Sequence, residues 1–302
     1  MLTLLSLLAC SPTYTSDAFV VDTADSGVDD SGGDTAADTE LTLDNCATKV
    51  TGDVPAFYTT FFRCSDMAVD ADSVQFYSHN LPPHKSAYYS PGDANWEQWD
   101  DRGGEYHQNP NTIVTQESLV WIASEPVSRG IVVTTDLVDG TGGTSEYEYP
   151  GGAVGMGLDG VVTFSGVAGP GDDIAEEQYS FDTWAGHPQE QGVYHHHSPN
   201  PAQLAVMVYN GYASTNVPGD AEIELYGIAC DGTVILGCTE MDGSVPASTD
   251  FDAQNGHVTD VVGPDGTVYF PDRYHTHVCP GEYPDAFFPE IQYYAECSTL
   301  QP

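Results

Sequence analysis

Short hydrophobic runs alternate with polar, turn-forming segments over most of the chain after Cys46. Runs such as 73–77, 119–122, 130–135 and 160–164 are rich in β-branched and aromatic residues, and clusters of Gly, Pro, Asn and Asp separate them. No stretch of ten residues keeps the apolar period of a helix. The pattern predicts an all-β fold of antiparallel strands, arranged as a sandwich-like or irregular double-sheet domain.

Composition divides the chain into three segments. Residues 1–10 are apolar and end in cysteine, residues 11–45 are mostly Asp, Ser, Thr, Gly and Ala, and residues 46–302 carry the strand pattern. The middle segment has too little apolar area to offset the entropy lost on ordering, so it is predicted to be a disordered acidic linker. No second linker interrupts residues 46–302, which predicts one β domain there.

The first ten residues resemble the signal segment of a bacterial lipoprotein. Leu7-Leu8-Ala9-Cys10 is similar to a lipobox, in which the cysteine becomes the lipidated first residue of the mature chain. The apolar run is too short to span a bilayer. The sequence therefore predicts a signal peptide, lipidation at Cys10, and an extracytoplasmic location, either anchored to the bacterial cell envelope or secreted. An ordinary signal peptide and a start upstream of Met1 remain open.

The chain is strongly acidic, with 6 Lys and Arg against 46 Asp and Glu and a formal net charge of −40. Such a charge repels the phosphates of nucleic acid and anionic lipid headgroups, so we expect no nucleic-acid partner and membrane contact only through a lipid anchor. The sequence identifies no protein partner.

Six cysteines remain after Cys10, an even number in an exported protein. Three disulfides are predicted among Cys46, Cys64, Cys230, Cys238, Cys279 and Cys297. The local spacings favour the pairs 46–64, 230–238 and 279–297, although six cysteines allow about 15 pairings.

One internal repeat carries the candidate chemistry. Residues 154–164 and 225–235 share a hydrophobic strand, an Asp-Gly turn and a second strand, which predicts a hairpin in each copy and an internal two-fold repeat. Each hairpin is followed by Asp-x-x-x-Gly-His and then by Tyr-His-x-His. The first copy contains Asp182, His187, Tyr194, His195 and His197, and the second contains Asp252, His257, Tyr274, His275 and His277.

The histidine spacing predicts a metal site. Alternate side chains of a strand share a face, so the two histidines of each His-x-His project together and can bind one ion. Position 196 then faces the other side, as does its counterpart Thr276. The six histidines supply more imidazole than one tetrahedral ion needs, so either one ion lies between the repeats or there are two.

The residues around these ligands are expected to support them. Asp182 and Asp252 are interpreted first as acceptors that orient a histidine ring, and otherwise as ligands or turn-forming residues. Tyr194 and Tyr274 are placed with them in this supporting role. Imidazole-rich sites without thiolate suit copper or zinc, so the predicted cofactor is a copper or zinc ion.

The series of motifs resembles the bacterial YHYH-domain proteins over most of residues 70–297. The segments that carry the resemblance are 79–84, 109–113, 154–160, 186–187, 194–197, 226–232, 255–257 and 274–277. Two departures are Thr276, where the family usually has Tyr, and the longer segment 280–284. The resemblance implies no specific activity, and it adds His84 as a candidate ligand.

The sequence thus predicts an extracytoplasmic metal-binding lipoprotein with a histidine-rich site. Two other functions stay open. One is a metal-dependent enzyme, either a hydrolase in which Asp182 or Asp252 acts as general base or a copper oxidoreductase. The other is a surface adhesion module with a structural metal. An open coordination position would favour the enzyme and closed coordination the structural role.

Overall fold

The computed structural model describes residues 39–128, 152–166, 174–252, 254–280, 297 and 300–301. Three helices, α1 to α3, span Ala56–Phe61, Ile174–Glu177 and Pro201–Tyr209, and short 3-10 turns span Gln178–Ser180 and Ser248–Asp250. Thirteen strands lie in these ranges. In chain order, β1 to β13 are Val50–Thr51, Asp66–Asp70, Ser73–Ser78, Glu117–Ala123, Ala153–Gly157, Val162–Phe164, Gly186–Pro188, Tyr194–His196, Leu225–Ala229, Val234–Leu236, Gly256–Val262, Val268–His277 and Leu300–Gln301.

The described strands form two sheets, and the fold is all-β as predicted. One sheet has the order β1-β2-β3-β4-β13 and the other has β11-β12-β10-β9-β5-β6-β8-β7. Most neighbours are antiparallel, but β1–β2, β6–β8 and β10–β12 are parallel, so both sheets are mixed. The predicted strands at 73–77, 119–122 and 160–164 correspond to β3, β4 and β6. The predicted strand at 130–135 lies outside the described residues.

The eight-stranded sheet contains the predicted two-fold repeat. From one end, the sheet begins with the hairpin β11-β12 and continues with the hairpin β10-β9. From the other end, it begins with β7-β8 and continues with β6-β5. The halves meet at β5 and β9, where Met156 is paired with Ile228, its equivalent in the other copy. Because directly opposed residues of antiparallel strands share a face, a pseudo-two-fold axis runs through the sheet at this point. Equivalent residues therefore lie on the same side of the sheet.

The main hydrophobic core contains side chains from both sheets and from α1 and α3. Phe57, Phe61 and Phe62 pack with Phe76 of the smaller sheet and Phe270 of the larger one, and all five are buried. Such aromatic burial, at about 25 cal/mol per Å² of apolar surface removed from water, is the main stabilising contribution. The helix α3 begins after Asn200, whose side chain accepts a hydrogen bond from the backbone N–H of Gln203 at 3.0 Å.

Three disulfides are present, and their pairing corrects part of the prediction. Cys46 is bonded to Cys64 as predicted, but Cys230 is bonded to Cys297 and Cys238 to Cys279. The predicted pairs 230–238 and 279–297 were wrong because they followed sequence spacing alone. The parallel pairing of β10 with β12 places Leu236 opposite His277, and this brings Cys238 beside Cys279.

The predicted signal peptide, Cys10 and most of the predicted linker lie outside the described residues, so these boundaries stay predictions. Leu41, inside the predicted linker, exchanges two hydrogen bonds with the Asn95 side chain, at 2.7 and 2.8 Å. The end of that segment is thus attached to the β domain. Within the described ranges, no helix has the length and hydrophobicity needed to cross a bilayer.

Candidate metal centres

Each Asp-x-x-x-Gly-His segment forms the same tight loop. The backbone N–H of Asp182 donates to the carbonyl of Gly186 at 2.9 Å, and that of Asp252 donates to Gly256 at 2.9 Å. One residue of each loop has left-handed backbone, Ala185 with φ of 56° and Asn255 with φ of 54°. The loop leads into β7 in the first copy and into β11 in the second. The histidine that follows the glycine therefore lies in a strand of the sheet.

Both loop aspartates bind a tyrosine hydroxyl. Tyr194 donates to the Asp182 carboxylate, with oxygens at 2.9 and 3.0 Å, and Tyr274 donates to Asp252 at 2.7 Å. Within the described residues, neither carboxylate accepts a hydrogen bond from a ring of the six clustered histidines. The aspartates therefore position the loop and the tyrosine, and the interpretation as acceptors for a histidine ring was wrong. The reason is that each tyrosine lies on the strand face opposite the His-x-His pair, where its hydroxyl meets the loop that carries the aspartate.

A side chain at Gly186 would break this arrangement. A Cβ there would lie 2.5 Å from the Oη and Cζ atoms of Tyr194. We expect Gly186→Ala to displace Tyr194 and to lower the free energy of unfolding by about 1–3 kcal/mol, the usual cost of overpacking. Chemical denaturation of this variant beside Thr183→Ala, at an exposed position of the same loop, measures the effect. Equal stability of the two variants would contradict the prediction.

The first three histidines converge on one point, which we call site 1 (His187, His195 and His197). Their Nε2 atoms are 3.1, 3.4 and 2.9 Å apart. Metal–nitrogen bonds of 2.0–2.1 Å in tetrahedral geometry place ligand nitrogens about 3.3–3.4 Å apart. The spacing of the three nitrogens is therefore close to that of a tetrahedral ion with three histidine ligands.

Hydrogen bonds at the other ring nitrogens fix the tautomers of site 1. The Nδ1 atoms of His195 and His197 lie 2.9 and 2.6 Å from the carbonyl oxygens of Val193 and Ser165, which can only accept. His187 Nδ1 lies 2.7 Å from Ser180 Oγ, whose own proton goes to the carbonyl of Glu177. The Asn109 amide nitrogen also lies 3.4 Å from His187 Nδ1, but its shorter hydrogen bond, at 3.1 Å, is donated to the carbonyl of Pro188, so the Ser180 contact decides the tautomer of His187. Each Nδ1 therefore carries the proton, and each Nε2 presents a lone pair to the other two.

The other three histidines form site 2 together with a carboxylate (Glu240, His257, His275 and His277). The Nε2 atoms of the three rings lie 3.0, 3.1 and 3.4 Å from the Glu240 oxygens. As in site 1, two Nδ1 atoms face carbonyl oxygens, those of Arg273 and Gly237, both at 2.9 Å. Three nitrogens and one oxygen thus make a four-ligand set. Glu240 was not predicted, because it has no counterpart in the first copy of the repeat.

The two sites lie in opposite halves of the eight-stranded sheet. The strands β8 and β12, which carry His195 and His275, are separated by four strands. Five inter-strand spacings of about 4.8 Å place the sites roughly 24 Å apart. The alternative of one ion between the repeats is therefore excluded by the topology, and two separate sites remain.

A phenylalanine supports each site from the same sequence position, directly before the loop aspartate. Phe181 contacts the His187 ring edge-on at 4.8 Å and stacks on the His197 ring at 5.7 Å. Phe251 repeats this arrangement with the second set, contacting His257 at 5.0 Å and stacking on His277 at 4.9 Å. Sequence reasoning missed this pair, although Phe-Asp occurs in both copies and the repeat could have shown it.

His84 lies apart from both sites. Its ring stacks on that of Trp184, with ring centroids 4.5 Å apart, and lies close to Asp159 and His196. This cluster is on the face of β8 opposite site 1. The expectation that position 196 faces away from the clamp agrees with this placement. The resemblance made His84 a candidate ligand, and the structure places it outside sites 1 and 2, beside Asp159 and His196.

Burial keeps the site 1 histidines neutral. It lowers the pKa of His187 and His195 well below the ordinary value, with added repulsion from neighbouring histidines, and it lowers the pKa of His197 to about 4. A histidine whose pKa is lowered in the folded state stabilises the fold above its unfolded pKa of 6.5. That stability is lost as pH falls from 6.5 to about 4, since the unfolded chain binds more protons.

We therefore expect the metal-free protein to lose stability between pH 6.5 and 4, with His197 alone accounting for about 3 kcal/mol. Ions bound at site 1 should leave only as the pH approaches 4, where protons begin to compete for the ligand nitrogens of the folded protein. Calorimetry in the presence of chelator measures the stability of the metal-free protein at each pH. Metal content after dialysis measures the loss of bound ions. Because burial also raises the pKa of Asp182 to about 6, which adds stability as pH falls, the histidine contribution is obtained by comparison with His197→Ala. A pH dependence of that variant equal to the wild type's would contradict the assignment of a neutral ring at His197.

Comparison with known families gives one result. Residues 144–253 match the family described as YHYH protein. The matched segment includes the first Asp-x-x-x-Gly-His and Tyr-His-x-His set and ends just after Asp252, so the histidines of the second set lie beyond it. The chain has no significant match among curated proteins or among solved structures. The match confirms, over residues 144–253, the resemblance to the YHYH family that the motifs predicted.

Proposed function

We propose that the protein is an extracytoplasmic lipoprotein that binds one copper or zinc ion at each of sites 1 and 2. The proposal depends above all on the convergence of three lone pairs in site 1. Three buried Nε2 atoms, 2.9–3.4 Å apart, repel one another in a medium of low dielectric constant unless a cation lies between them. Neutral imidazole is a good ligand for both copper and zinc.

The ligand sets of the two sites differ in a way that matters for function. Site 2 has four protein ligands, as structural zinc sites do, whereas site 1 has three within the described residues. Three protein ligands with an open fourth position are typical of catalytic zinc. The repeat has thus diverged, so that the second copy stabilises the fold and the first can accept an exogenous ligand.

Elemental analysis of the purified full-length chain tests the proposal. The wild-type protein is expected to hold at least two equivalents of copper or zinc. His195→Ala should lose one, His275→Ala another, and the double variant both, while His107→Ala, at an exposed histidine outside the clusters, serves as control. If reloading with either metal leaves the wild type and the double variant with equal content, the proposal fails.

The envelope location is tested separately through Cys10. Three disulfides fit an oxidising compartment, and Cys10 ends the lipobox-like segment. Labelled palmitate is expected to enter the wild-type protein in a bacterial host and not Cys10→Ser. Labelling of both proteins, or of neither, would contradict a lipid anchor at this residue.

A second candidate function is a metal-dependent hydrolase at site 1, favoured by the position of Glu177. Its Oε1 lies 3.6 Å from Nε2 of His187, and its side chain is partly exposed. A carboxylate beside an open metal position can act as general base for a water molecule. Ester and phosphoester hydrolysis by the zinc-loaded protein should then be lost in Glu177→Gln with metal content unchanged. Full activity in that variant would exclude this role for Glu177.

A further inference from the structure

Behind site 1, on the opposite face of β8, three buried acceptors face one another. His84, Asp159 and His196 contribute one ligand atom each, and these atoms lie within 4.8 Å of one another. The residues are 8%, 1% and 0% exposed. Among the described residues, Nε2 of His84, Nε2 of His196 and Oδ2 of Asp159 have no hydrogen-bond partner.

The tautomers of both rings are fixed by backbone carbonyls. Nδ1 of His84 lies 3.0 Å from the oxygen of Lys85, and Nδ1 of His196 lies 3.1 Å from the oxygen of Ala185. Carbonyl oxygens only accept, so each Nδ1 carries the proton and each Nε2 presents a lone pair. Nε2 of His196 is 3.9 Å from Oδ2 of Asp159, too long for a hydrogen bond. The two groups therefore do not satisfy each other.

The surrounding structure holds the three groups in place. Asp159 lies in the turn between β5 and β6, where its Oδ1 accepts from the backbone N–H of Val161 at 3.1 Å. The loop that carries His84 is tied to the sheet by Asn80, which donates to Tyr194 O at 2.7 Å and accepts from Val162 N–H at 2.9 Å. His196 is fixed by its position in β8. The cluster is thus built from three rigid elements.

A cavity borders this cluster at His84. His84 and Trp184 line a cavity of about 210 Å³ together with Pro83, Ala202 and Ala205. An ion could therefore reach His84 without passing through site 1, which lies across the sheet.

We propose that His84, Asp159 and His196 form a third metal site, which binds a divalent transition-metal ion. Two imidazoles and one carboxylate are a donor set that proteins use for zinc and for ferrous iron. Three ligand atoms that face one another, with the Gln203 amide as the side-chain donor to Asp159, are complementary to a cation, which would draw the ligand atoms together from their present spacing. Buried polar groups without partners are otherwise rare.

The second copy of the repeat lacks this site, which provides matched controls. The position of His196 is occupied there by Thr276, which pairs with Ile235 as His196 pairs with Thr163. The position of Asp159 is occupied by Asp231, whose Oδ1 accepts from Thr233 N–H at 2.8 Å. Asp159→Asn and Asp231→Asn therefore change the same turn residue in the two copies, and only the first removes a ligand.

The test is the metal content of the full chain after chelation and reloading with Zn²⁺ or, without oxygen, with Fe²⁺. Asp159→Asn is expected to bind one equivalent fewer than the wild type, and Asp231→Asn the same number. His196→Thr and His84→Ala should also lose one equivalent, which keeps the test valid if one variant folds poorly. The His195→Ala, His275→Ala protein should retain one equivalent that Asp159→Asn then removes.

These outcomes separate the third site from the proposed function. Retention of one equivalent in the His195→Ala, His275→Ala protein supports the third site even if sites 1 and 2 bind nothing. Equal metal content in Asp159→Asn, Asp231→Asn and the wild type, with both metals, would overturn the proposal. The cluster would then be a buried polar pocket that water satisfies.

Discussion

Chelation is expected to lower the thermal midpoint of the protein by about 10 °C for each of sites 1 and 2. A ligand that binds only the folded state at about 1,000 times its Kd stabilises that state by about 4 kcal/mol. In a domain of this size, 1 kcal/mol corresponds to about 2–4 °C. Both sites bring together ligands from separate elements, so the unfolded chain cannot reproduce either set.

Calorimetry with and without a strong chelator measures the shift in the thermal midpoint, and the variants show which site produces each part of that shift. His195→Ala should lose the part of the chelator effect that comes from site 1 and His275→Ala a similar part that comes from site 2, because the sites lie in separate halves of the sheet. The exposed His107→Ala should keep the full effect. If the chelator leaves the wild-type midpoint unchanged while metal is shown to leave the protein, the ions do not stabilise the fold.

The two histidine clusters could be predicted from the sequence because the information was local and repeated. In each copy a short loop and a two-strand hairpin supply all three histidines. His187 pairs directly with His195 across β7 and β8, and His257 pairs with His275 across β11 and β12. Strand periodicity then places both members of His-x-His on one face. No long-range contact has to be known to assemble the three rings.

Residues that depend on long-range pairing could not be predicted in the same way. Glu240 reaches site 2 from the segment after β10, and its proximity to His275 at 3.1 Å follows from the parallel pairing of β10 with β12. Parallel neighbours are joined by long connections, so sequence spacing carries no sign of the contact. The Cys238–Cys279 pair was missed for the same reason, and the Cys230–Cys297 pair was missed because it joins residues 67 apart in sequence.

The loop aspartates show a different limit of sequence reasoning. The constant distance from Asp182 to His187, repeated by Asp252 and His257, correctly indicated a shared structure. It did not indicate which group each carboxylate binds, because an aspartate before a Gly-His turn can cap the turn or orient a ring. The choice depends on Tyr194 and Tyr274, whose hydroxyls reach the loop from the neighbouring strand.

Removal of the Cys238–Cys279 disulfide is expected to weaken both the fold and site 2. The bond joins residues 41 apart in sequence, and closing a loop of that length in the unfolded chain is worth about 4 kcal/mol in the chain-entropy treatment. The disulfide also joins the two segments of the chain that supply ligands to site 2. Cys238 lies two residues before Glu240, and Cys279 lies two residues after His277.

The disulfide therefore holds the carboxylate ligand against the strand that carries the imidazoles. Without it, the segment around Glu240 keeps contacts such as the 2.9 Å hydrogen bond from Cys238 N–H to Glu224, but it loses its covalent link to β12. We expect Cys238→Ser, Cys279→Ser to bind metal more weakly at site 2 by about 10-fold or more, as when ligand orientation is lost. Site 1, in the other half of the sheet, should keep its affinity.

The matched control is Cys46→Ser, Cys64→Ser, which opens a loop of 18 residues that contacts β12 at Phe270, five residues before the ligand His275, and should cost about 3 kcal/mol. Zinc titration in a His195→Ala, Asp159→Asn background isolates site 2, and chemical denaturation gives the stability of each variant. Loss of site 2 affinity only in the 238–279 variant would show that the bond positions Glu240. Equal losses in both variants would mean that general destabilisation, and not the position of the carboxylate, weakens the site.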